Sequence, residues 1–171
     1  MKMAALIALA TAGVLTNTAA MAETAPVAAP GAHTTEQCAV ISTEQVVGLF
    51  DKWNASLKKL DPDTVTANYS DDAVLLPTVS NTPRLNHAEI RDYFVHFLQK
   101  KPQGTIDSRT IKLGCNTAID MGVYTFKLQD GKKTKSVQAR YTFQYVIENG
   151  KWVIEHHHSS AMPEKVTAKN H

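Results

Sequence analysis

The clearest pattern along the chain is the alternation of apolar and polar residues in its last third. Residues 139–147 alternate like a strand, Asn149 and Gly150 supply a tight turn, and residues 152–160 run back. Asn-Gly between two β-rich runs is typical of a hairpin, because both central positions of a type I′ turn need positive φ. The same criteria predict four successive antiparallel strands, over residues 104–116, 118–129, 135–147 and 152–161.

Earlier in the chain, apolar residues recur at helical spacing. A cap at Ser42 or Thr43 predicts a first helix whose apolar stripe runs over residues 46–60. Asp61-Pro62 then starts a short second helix that includes Tyr69 among its apolar points, because proline suits the first helical position. Both helices precede every predicted strand.

A short strand and a third helix complete the pattern. Residues 73–76 read as a strand, and Asn86 with Glu89 three residues later caps a helix whose apolar stripe covers 90–98. The order is helix, helix, strand, helix and then four strands. It predicts an α+β domain in which one twisted sheet packs against helices on one face.

The N-terminal segment has the composition of an export signal. Lys2 precedes an apolar run over residues 3–15, and Ala-Met-Ala at 20–22 fits a cleavage site. We therefore expect a periplasmic or secreted protein that has no membrane attachment after cleavage. The predicted division is a signal over 1–22, a disordered linker over 23–37, a folded domain over 38–163 and a polar tail over 164–171.

Two cysteines remain after the signal, Cys38 and Cys115. In an oxidising compartment they are expected to form a disulfide, which would stabilise the fold by about 4.5 kcal/mol in the chain-entropy treatment. The net charge of +2 is too small to indicate a nucleic-acid partner, and the lysines and arginines are scattered.

Several segments resemble the association domain of calcium/calmodulin-dependent protein kinase II, especially its bacterial stand-alone relatives, which sit beside SnoaL-like proteins. The resemblance covers Cys38 to Pro163 and implies a nuclear transport factor 2-like fold. In that fold a cone-shaped, curved antiparallel or mixed sheet packs against two to three N-terminal helices. The segments are Phe50-x-x-Trp53, Asp61-Pro62-Asp63, Tyr69 to Thr78, Asp92-Tyr93-Phe94 and Gly150-Lys151-Trp152-x-Ile154-x-His156-x-His158.

The resemblance implies a homodimer or higher homo-oligomer with a pocket for a small carboxylate or apolar ligand, and it implies no kinase activity. The chain has no glycine-rich loop, His-Arg-Asp loop or Asp-Phe-Gly motif for phosphoryl transfer. Ser159-Ser160 stand where the related domain carries an arginine, so its carboxylate clamp is not expected whole.

The last two strands carry most of the candidate binding chemistry. By analogy with the related fold, His157 and Ser159 are expected to face the pocket, with Arg140 at its rim. Buried arginines need an acidic partner or a ligand, so Arg84 and Arg140 are either anion-binding or paired with Glu155 or Asp92. The predicted ligand-binding residues are Trp53, Arg84, Arg140, His157 and Ser159.

An acid–base enzyme of the isomerase, cyclase or oxidoreductase-like type is the alternative, and a purely structural oligomerisation module is a third. The enzyme would use His157 with Tyr69 or Tyr93, and a buried Glu155 beside His157 would itself have the perturbed pKa that such chemistry requires. His156 and His158 are two residues apart on a strand, but two histidines do not define a zinc site. We therefore expect no metal and no cofactor.

Overall fold

The computed structural model of the protein describes residues 37–164. The predicted signal over 1–22 lies outside the described residues. So do residues 23–36 of the predicted linker and residues 165–171 of the predicted tail. No helix within residues 37–164 is both long and apolar enough to cross a membrane.

Three α-helices and a short 3-10 turn form one side of the domain. The side chain of Ser42 accepts a hydrogen bond from the Gln45 amide, and the Gln45 side chain returns one to the Ser42 amide, so the first helix begins with a capping box. Leu60 was predicted to extend this helix, but it lies beyond the helix end and is 46% exposed with φ 55°. The helices are α1 (Thr43–Leu57), α2 (Pro62–Thr66) and α3 (His87–Phe97), with the 3-10 turn at Leu98–Lys100.

Five strands form one open, mixed sheet in the order β1-β5-β4-β3-β2. β1 runs parallel to β5, and all other neighbours are antiparallel, which confirms the predicted α+β class. The first strand begins at Tyr69 rather than at residue 73, so Tyr69 is a strand residue and not part of α2. The strands are β1 (Tyr69–Leu76), β2 (Gln103–Leu113), β3 (Thr117–Asp130), β4 (Lys133–Glu148) and β5 (Lys151–Ala161).

The core lies between the helices and one face of this sheet. Trp53 of α1 packs edge-on against Phe143 of β4, with ring centroids 5.0 Å apart, and Phe50 contacts Tyr141 and Phe143. All four side chains are nearly completely buried. The amphipathic face of α1 therefore fixes the position of Trp53 above the middle of the sheet.

A β-bulge at Glu155 changes which side chains of β5 face the helices. Tyr145 pairs with Ile154 but Gln144 pairs with His156, so Glu155 has no partner on β4. Simple alternation would put Ile154 and His157 on opposite faces, yet both are buried on the helix-covered face. A regular strand would put Ile154 on the face of His156 and His158, and the bulge puts it on the face of His157 instead.

The disulfide between Cys38 and Cys115 is present. It joins the residues before α1 to the turn between β2 and β3, across a sequence separation of 77. A hydrogen bond of 2.7 Å from the Ala39 amide to the Asn116 side chain lies beside it. The start of the domain is thus tied to the far end of the sheet.

Candidate functional site

An aromatic cavity lies between α1, α3 and the sheet. Its free volume is about 30 Å³, which is room for roughly two or three water-sized groups. Its polar wall is formed by His157, Ser159 and Thr78. The aromatic side chains that line it are Trp53, Tyr93, Phe94, Phe97, Tyr124 and Phe126.

A buried hydrogen-bond relay runs along one wall of this aromatic cavity. The Trp53 indole nitrogen donates to the Tyr69 hydroxyl at 3.0 Å, and that hydroxyl lies 3.0 Å from Nδ1 of His157. The imidazole stacks on Phe143 with ring centroids 4.0 Å apart. His157 is only 4% exposed, so the relay is shielded from water.

Matching the hydrogen-bond donors of this relay with its acceptors determines which atoms carry the protons. The Trp53 indole can only donate, so the Tyr69 oxygen accepts from it. If the Tyr69 O–H then donates to Nδ1 of His157, the Trp53 N–H, the Tyr69 hydroxyl and Nδ1 of His157 all have partners, and the neutral imidazole carries its proton on Nε2. The opposite assignment would leave the Tyr69 O–H without an acceptor among the described residues. His157 therefore presents an Nε2–H donor, and Nε2 is buried without any hydrogen-bond partner there.

Burial governs the protonation of both groups. Removal from water lowers the pKa of His157 to about 3, and the neighbouring His156 and His158 act in the same direction. Burial likewise raises the pKa of Tyr69 well above its usual value, despite the hydrogen bond from Trp53. At neutral pH the relay is uncharged, and His157 is a hydrogen-bond donor.

Ser159 belongs to a second polar group on the same cavity wall. The Tyr124 hydroxyl donates to the Ser159 hydroxyl at 2.5 Å, and Ser159 also hydrogen bonds with Thr78. Burial raises the pKa of Tyr124, so its hydroxyl remains protonated. Sequence reasoning missed Thr78 and Tyr124, although Tyr124 lies in phase with the buried residues of β3.

Arg84 lies outside the aromatic cavity but beside it. It lines a surface cleft of about 190 Å³ that we call the Arg84 cleft. Tyr93 and Phe97 line both the aromatic cavity and this cleft. The other side chains of the cleft are Val79, Ser80, His96 and Lys100.

Two predicted site residues lie elsewhere. Arg140 is exposed, and its Nε donates to Ser160 at 3.2 Å on the face opposite Tyr141, so it does not reach the rim of the cavity. Glu155 occupies the bulge and accepts a hydrogen bond of 2.6 Å from Gln144. Because the bulge turns it away from His157, Glu155 is not placed to act with the imidazole.

Sequence reasoning also missed a buried ion pair under α1. Arg109 Nε and the Tyr141 hydroxyl both donate to Asp120 Oδ1, at 3.1 and 2.9 Å, and the guanidinium stacks on Phe50. Burial raises the pKa of Asp120 against the opposing effects of Tyr141 and Arg109. The sequence signal that could have revealed this pair is the acidic Asp120, which lies in phase with the buried residues of β3. Nη2 of Arg109 lies 3.1 Å from Oδ2 of Asp120, so the two charges form a structural ion pair rather than an open site.

The three consecutive histidines of β5 do not converge on one point. Within residues 37–164 no group of three or more His, Cys, Asp or Glu side chains is placed to hold a metal ion. His157 faces the cavity, whereas His156 and His158 lie in the opposite phase of β5.

Comparisons with known proteins agree on one family. The family described as the calcium/calmodulin dependent protein kinase II association domain matches residues 42–163. A crystal structure of a Xanthomonas campestris protein assigned to these association domains is 48% identical, with a TM-score of 0.71. The alignment covers 78% of this chain and 99% of that protein. No match was found among curated proteins.

More distant structures share the fold alone. A nuclear transport factor 2-like superfamily protein from Salmonella enterica is 18% identical with a TM-score of 0.61, covering 75% of this chain and 96% of that one. A nuclear transport factor 2-like protein from Novosphingobium aromaticivorans is 9% identical with a TM-score of 0.61, covering 72% and 83%.

Proposed function

Because the chain belongs to the calcium/calmodulin dependent protein kinase II association domain family, we propose that it is a secreted, self-associating module that binds a small organic molecule. It has none of the sequence motifs that handle nucleotide phosphates in kinases. Its ligand offers an oxygen acceptor to His157 and an apolar surface to the surrounding rings.

The single observation that carries this proposal is the unpartnered Nε2–H of His157 at an aromatic cavity. A buried donor without an acceptor costs roughly 1–3 kcal/mol, and that cost is recovered when a ligand oxygen fills the position. The neutral imidazole and the apolar walls favour an uncharged oxygen, because an unpaired carboxylate would lose its hydration there. A carbonyl or hydroxyl group at the inner end of the ligand satisfies both conditions.

The size of the cavity limits what enters it. The free volume of about 30 Å³ takes a carbonyl and a methyl group but not a whole aromatic ring. The body of a larger ligand therefore remains outside the cavity, against Tyr93 and Phe97, which line both the cavity and the neighbouring surface cleft. Only a compact, oxygen-bearing end contacts His157.

The same geometry gives less support to acid–base catalysis. A general base needs a free ring nitrogen towards the substrate and a pKa near the working pH. In His157, Nδ1 is engaged by Tyr69, Nε2 carries the proton, and burial lowers the pKa to about 3. These features favour binding through a donated hydrogen bond.

Secretion and self-association rest on separate support. Disulfides persist in oxidising compartments, so the Cys38–Cys115 bond is compatible with export. Association domains in this family oligomerise. A periplasmic preparation that begins at Glu23 and elutes as a dimer or larger assembly in light scattering would agree with both parts of the proposal.

Titration with acetophenone and ethylbenzene tests the binding proposal. The two probes have similar rings, but only acetophenone has an oxygen acceptor. We expect acetophenone to bind more tightly and to shift the NMR signal of the Trp53 indole N–H, which is two hydrogen bonds away from Nε2. The indole of Trp152, which does not line the cavity, serves as the internal reference.

Two neighbouring substitutions provide the matched comparison. His157→Phe retains the aromatic stacking on Phe143 and removes the donor, so it should abolish the preference for acetophenone. His158→Phe changes an exposed residue of the same strand and should leave the preference intact. Equal affinity of the unmodified protein for the two probes, or no binding of either, would refute the proposal.

A further inference from the structure

Besides His157, the wall of the aromatic cavity carries a second polar feature, which we call the hydroxyl cluster. It consists of Thr78, Tyr124 and Ser159, whose side chains all line the cavity. Tyr124 donates a hydrogen bond to Ser159, which also hydrogen bonds with Thr78. Tyr124 and Ser159 are only 2% and 7% exposed. The ligand contacts proposed above leave this cluster unused, although it faces the same space as His157.

Three separate segments of the chain supply the hydroxyl cluster. Ser159 lies on β5, and Thr78 follows β1, which runs parallel to β5. Tyr124 lies on β3, so its side chain reaches Ser159 across the intervening strand β4. The residue of β4 that pairs with Tyr124 is Ala139, whose small side chain leaves room for the phenol ring to cross. The cluster is therefore a product of strand pairing.

His157 lies between the hydroxyl cluster and the relay of Trp53 and Tyr69. Tyr69 pairs with Ile154, which precedes His157 in β5, whereas Ser159 follows His157 by two residues on the same face. The Cα atoms of His157 and Ser159 are therefore about 7 Å apart. Because Nδ1 of the imidazole is directed at Tyr69, Nε2 lies on the other side of the ring. The unpartnered Nε2–H and the cluster thus border one small space.

The hydroxyl cluster has hydrogen-bonding capacity left for a ligand. A hydroxyl has one hydrogen and two lone pairs, so a group made only of hydroxyls has more acceptor positions than donors. The hydrogen bonds within the cluster therefore leave lone pairs free at Ser159 or Thr78. A ligand hydroxyl can donate to these lone pairs, and it can also accept from a cluster hydrogen. It fits whichever way the hydrogens of the cluster are oriented.

The cavity favours a ligand without charge. Within residues 37–164 no lysine, arginine, aspartate or glutamate side chain lines it. Burial keeps His157 neutral by lowering its pKa to about 3, and it keeps Tyr124 protonated by raising the pKa of the phenol. A charged ligand group would lose its hydration in the cavity without gaining a counter-charge. A second ligand oxygen placed at the cluster is therefore a hydroxyl.

We propose that the cavity recognises a hydroxymethyl ketone, in which a CH2OH group is attached directly to the carbonyl carbon. The carbonyl oxygen accepts from Nε2 of His157, and the hydroxyl bonds with Ser159 or Thr78. A carbonyl oxygen, a CH2 group and a hydroxyl match the free volume of about 30 Å³, which holds roughly two or three water-sized groups. The carbonyl half of this inference rests on the function proposed above, and the hydroxyl half rests on the cluster.

Two matched probes test the hydroxyl half, α-hydroxyacetophenone and propiophenone. Both have a carbonyl group on a benzene ring, and a terminal methyl group in propiophenone replaces the hydroxyl of α-hydroxyacetophenone. We expect α-hydroxyacetophenone to bind about fivefold more tightly, because it gains a hydrogen bond where propiophenone places a methyl group against hydroxyl oxygens. Dissociation constants from NMR or calorimetric titration measure this preference.

A triple variant removes the whole cluster by combining Thr78→Val, Tyr124→Phe and Ser159→Ala. It leaves none of the three hydroxyls buried without its partner, so the fold should tolerate it. The variant should lose the fivefold preference and retain its affinity for propiophenone, which reports that the carbonyl half of the site is intact. The matched control is Thr142→Val with Ser160→Ala on the opposite face of the sheet, and it should retain the preference.

Single substitutions then identify the oxygen that the ligand contacts. At least one of Thr78→Val and Ser159→Ala should reduce the preference for α-hydroxyacetophenone. Thr78→Val leaves the hydrogen bond between Tyr124 and Ser159 in place, so it tests the cluster with little disturbance of the fold.

The outcomes distinguish this inference from the function on which it rests. Equal affinity of the unmodified protein for the two probes would overturn the inference, as would a preference that survives in the triple variant or in both single variants. If propiophenone binding is still weakened by His157→Phe in that case, the proposed function stands. If His157→Phe weakens the binding of neither probe, both proposals fail.

Discussion

At the scale of single residues, burial decides the chemistry of His157. A solvated imidazole exchanges protons near neutral pH, but this one stays neutral because its cationic form would lose its hydration. The Trp53–Tyr69 relay then fixes the tautomer. The histidine consequently serves as an oriented donor with one open position.

Tyr69→Phe tests the relay through stability. The substitution leaves the Trp53 N–H without an acceptor and His157 Nδ1 without a donor, so we expect a loss of roughly 2 kcal/mol or more in unfolding free energy. Tyr145→Phe is the matched control, because the Tyr145 hydroxyl is buried without a partner. That control should be neutral or slightly stabilising in urea unfolding. Equal losses in the two variants would contradict the relay.

The depressed pKa of His157 predicts how stability depends on pH. Above about pH 6.5 the residue is neutral in both the folded and unfolded states and contributes no pH dependence. Below that, the unfolded state binds a proton that the folded state excludes until the pH falls to about 3. Stability should therefore fall on acidification, by up to about 1.4 kcal/mol per pH unit.

Urea unfolding at pH 7 and pH 5 measures this contribution. The unmodified protein should lose about 2 kcal/mol more than His157→Phe over this interval, a figure that follows from the two pKa values. His156 has a pKa lowered by burial and titrates in the same direction, but it is present in both proteins and cancels. Parallel losses in the two proteins would show that His157 is not protected from protonation.

At the scale of elements, the bulge in β5 determines which side chains reach the cavity. Two residues, Glu155 and His156, occupy the space opposite Gln144, and the alternation resumes with His157 facing the helices. The bulge therefore leaves Ile154 and His157 on one face although they are three residues apart.

Deletion of Glu155 tests this reading. A regular strand without the bulge keeps Ile154, His157 and Ser159 on the helix-covered face, so the shift of the Trp53 indole by acetophenone should persist. Insertion of one alanine between His156 and His157 should instead turn His157 outward and abolish the shift. Loss of the shift in the deletion variant, together with its retention in the insertion variant, would reverse the assigned faces.

The sequence predicted the elements better than their register. Caps at Ser42 and Asn86, and the Asn149-Gly150 turn with φ of 51° and 74°, mark element ends because local chemistry determines them. Bulges depend on how two strands pair, and no local pattern around Glu155 indicates one. Alternation along β4 puts the side chains of Arg140 and Tyr141 on opposite faces of the sheet. The expectation that Arg140 reached the pocket came from the resemblance and was wrong.

Tyr69, Arg84 and His157 were named as candidates from the sequence, and long-range pairing explains how they come together. Tyr69 lies next to α2 in sequence, but parallel pairing with β5 puts it on a strand beside His157. Arg84 approaches His157 only because the residues after β1 fold back onto Leu75. Neither contact has a sequence signal, because each joins segments that the chain order separates.

At the scale of the whole molecule, the disulfide connects the segment before α1 to the turn between β2 and β3. It closes a loop of 77 residues in sequence separation, which constrains the unfolded chain by about 4.5 kcal/mol. Reduction should lower the urea midpoint accordingly, and Cys38→Ser with Cys115→Ser should reproduce that lower midpoint without further response to reductant. A midpoint unaffected by reduction would show that the bond does not hold the fold together.

The state of His157 in solution tests the account most directly. NMR spectra of the imidazole nitrogens, assigned by comparison with His157→Phe, report tautomer, charge and contact with ligand together. We predict a neutral ring protonated on Nε2, unchanged from pH 7 to about pH 4, whose Nε2 signal moves when acetophenone is added. A proton on Nδ1, titration near pH 6.5, or an Nε2 signal indifferent to acetophenone would contradict the account.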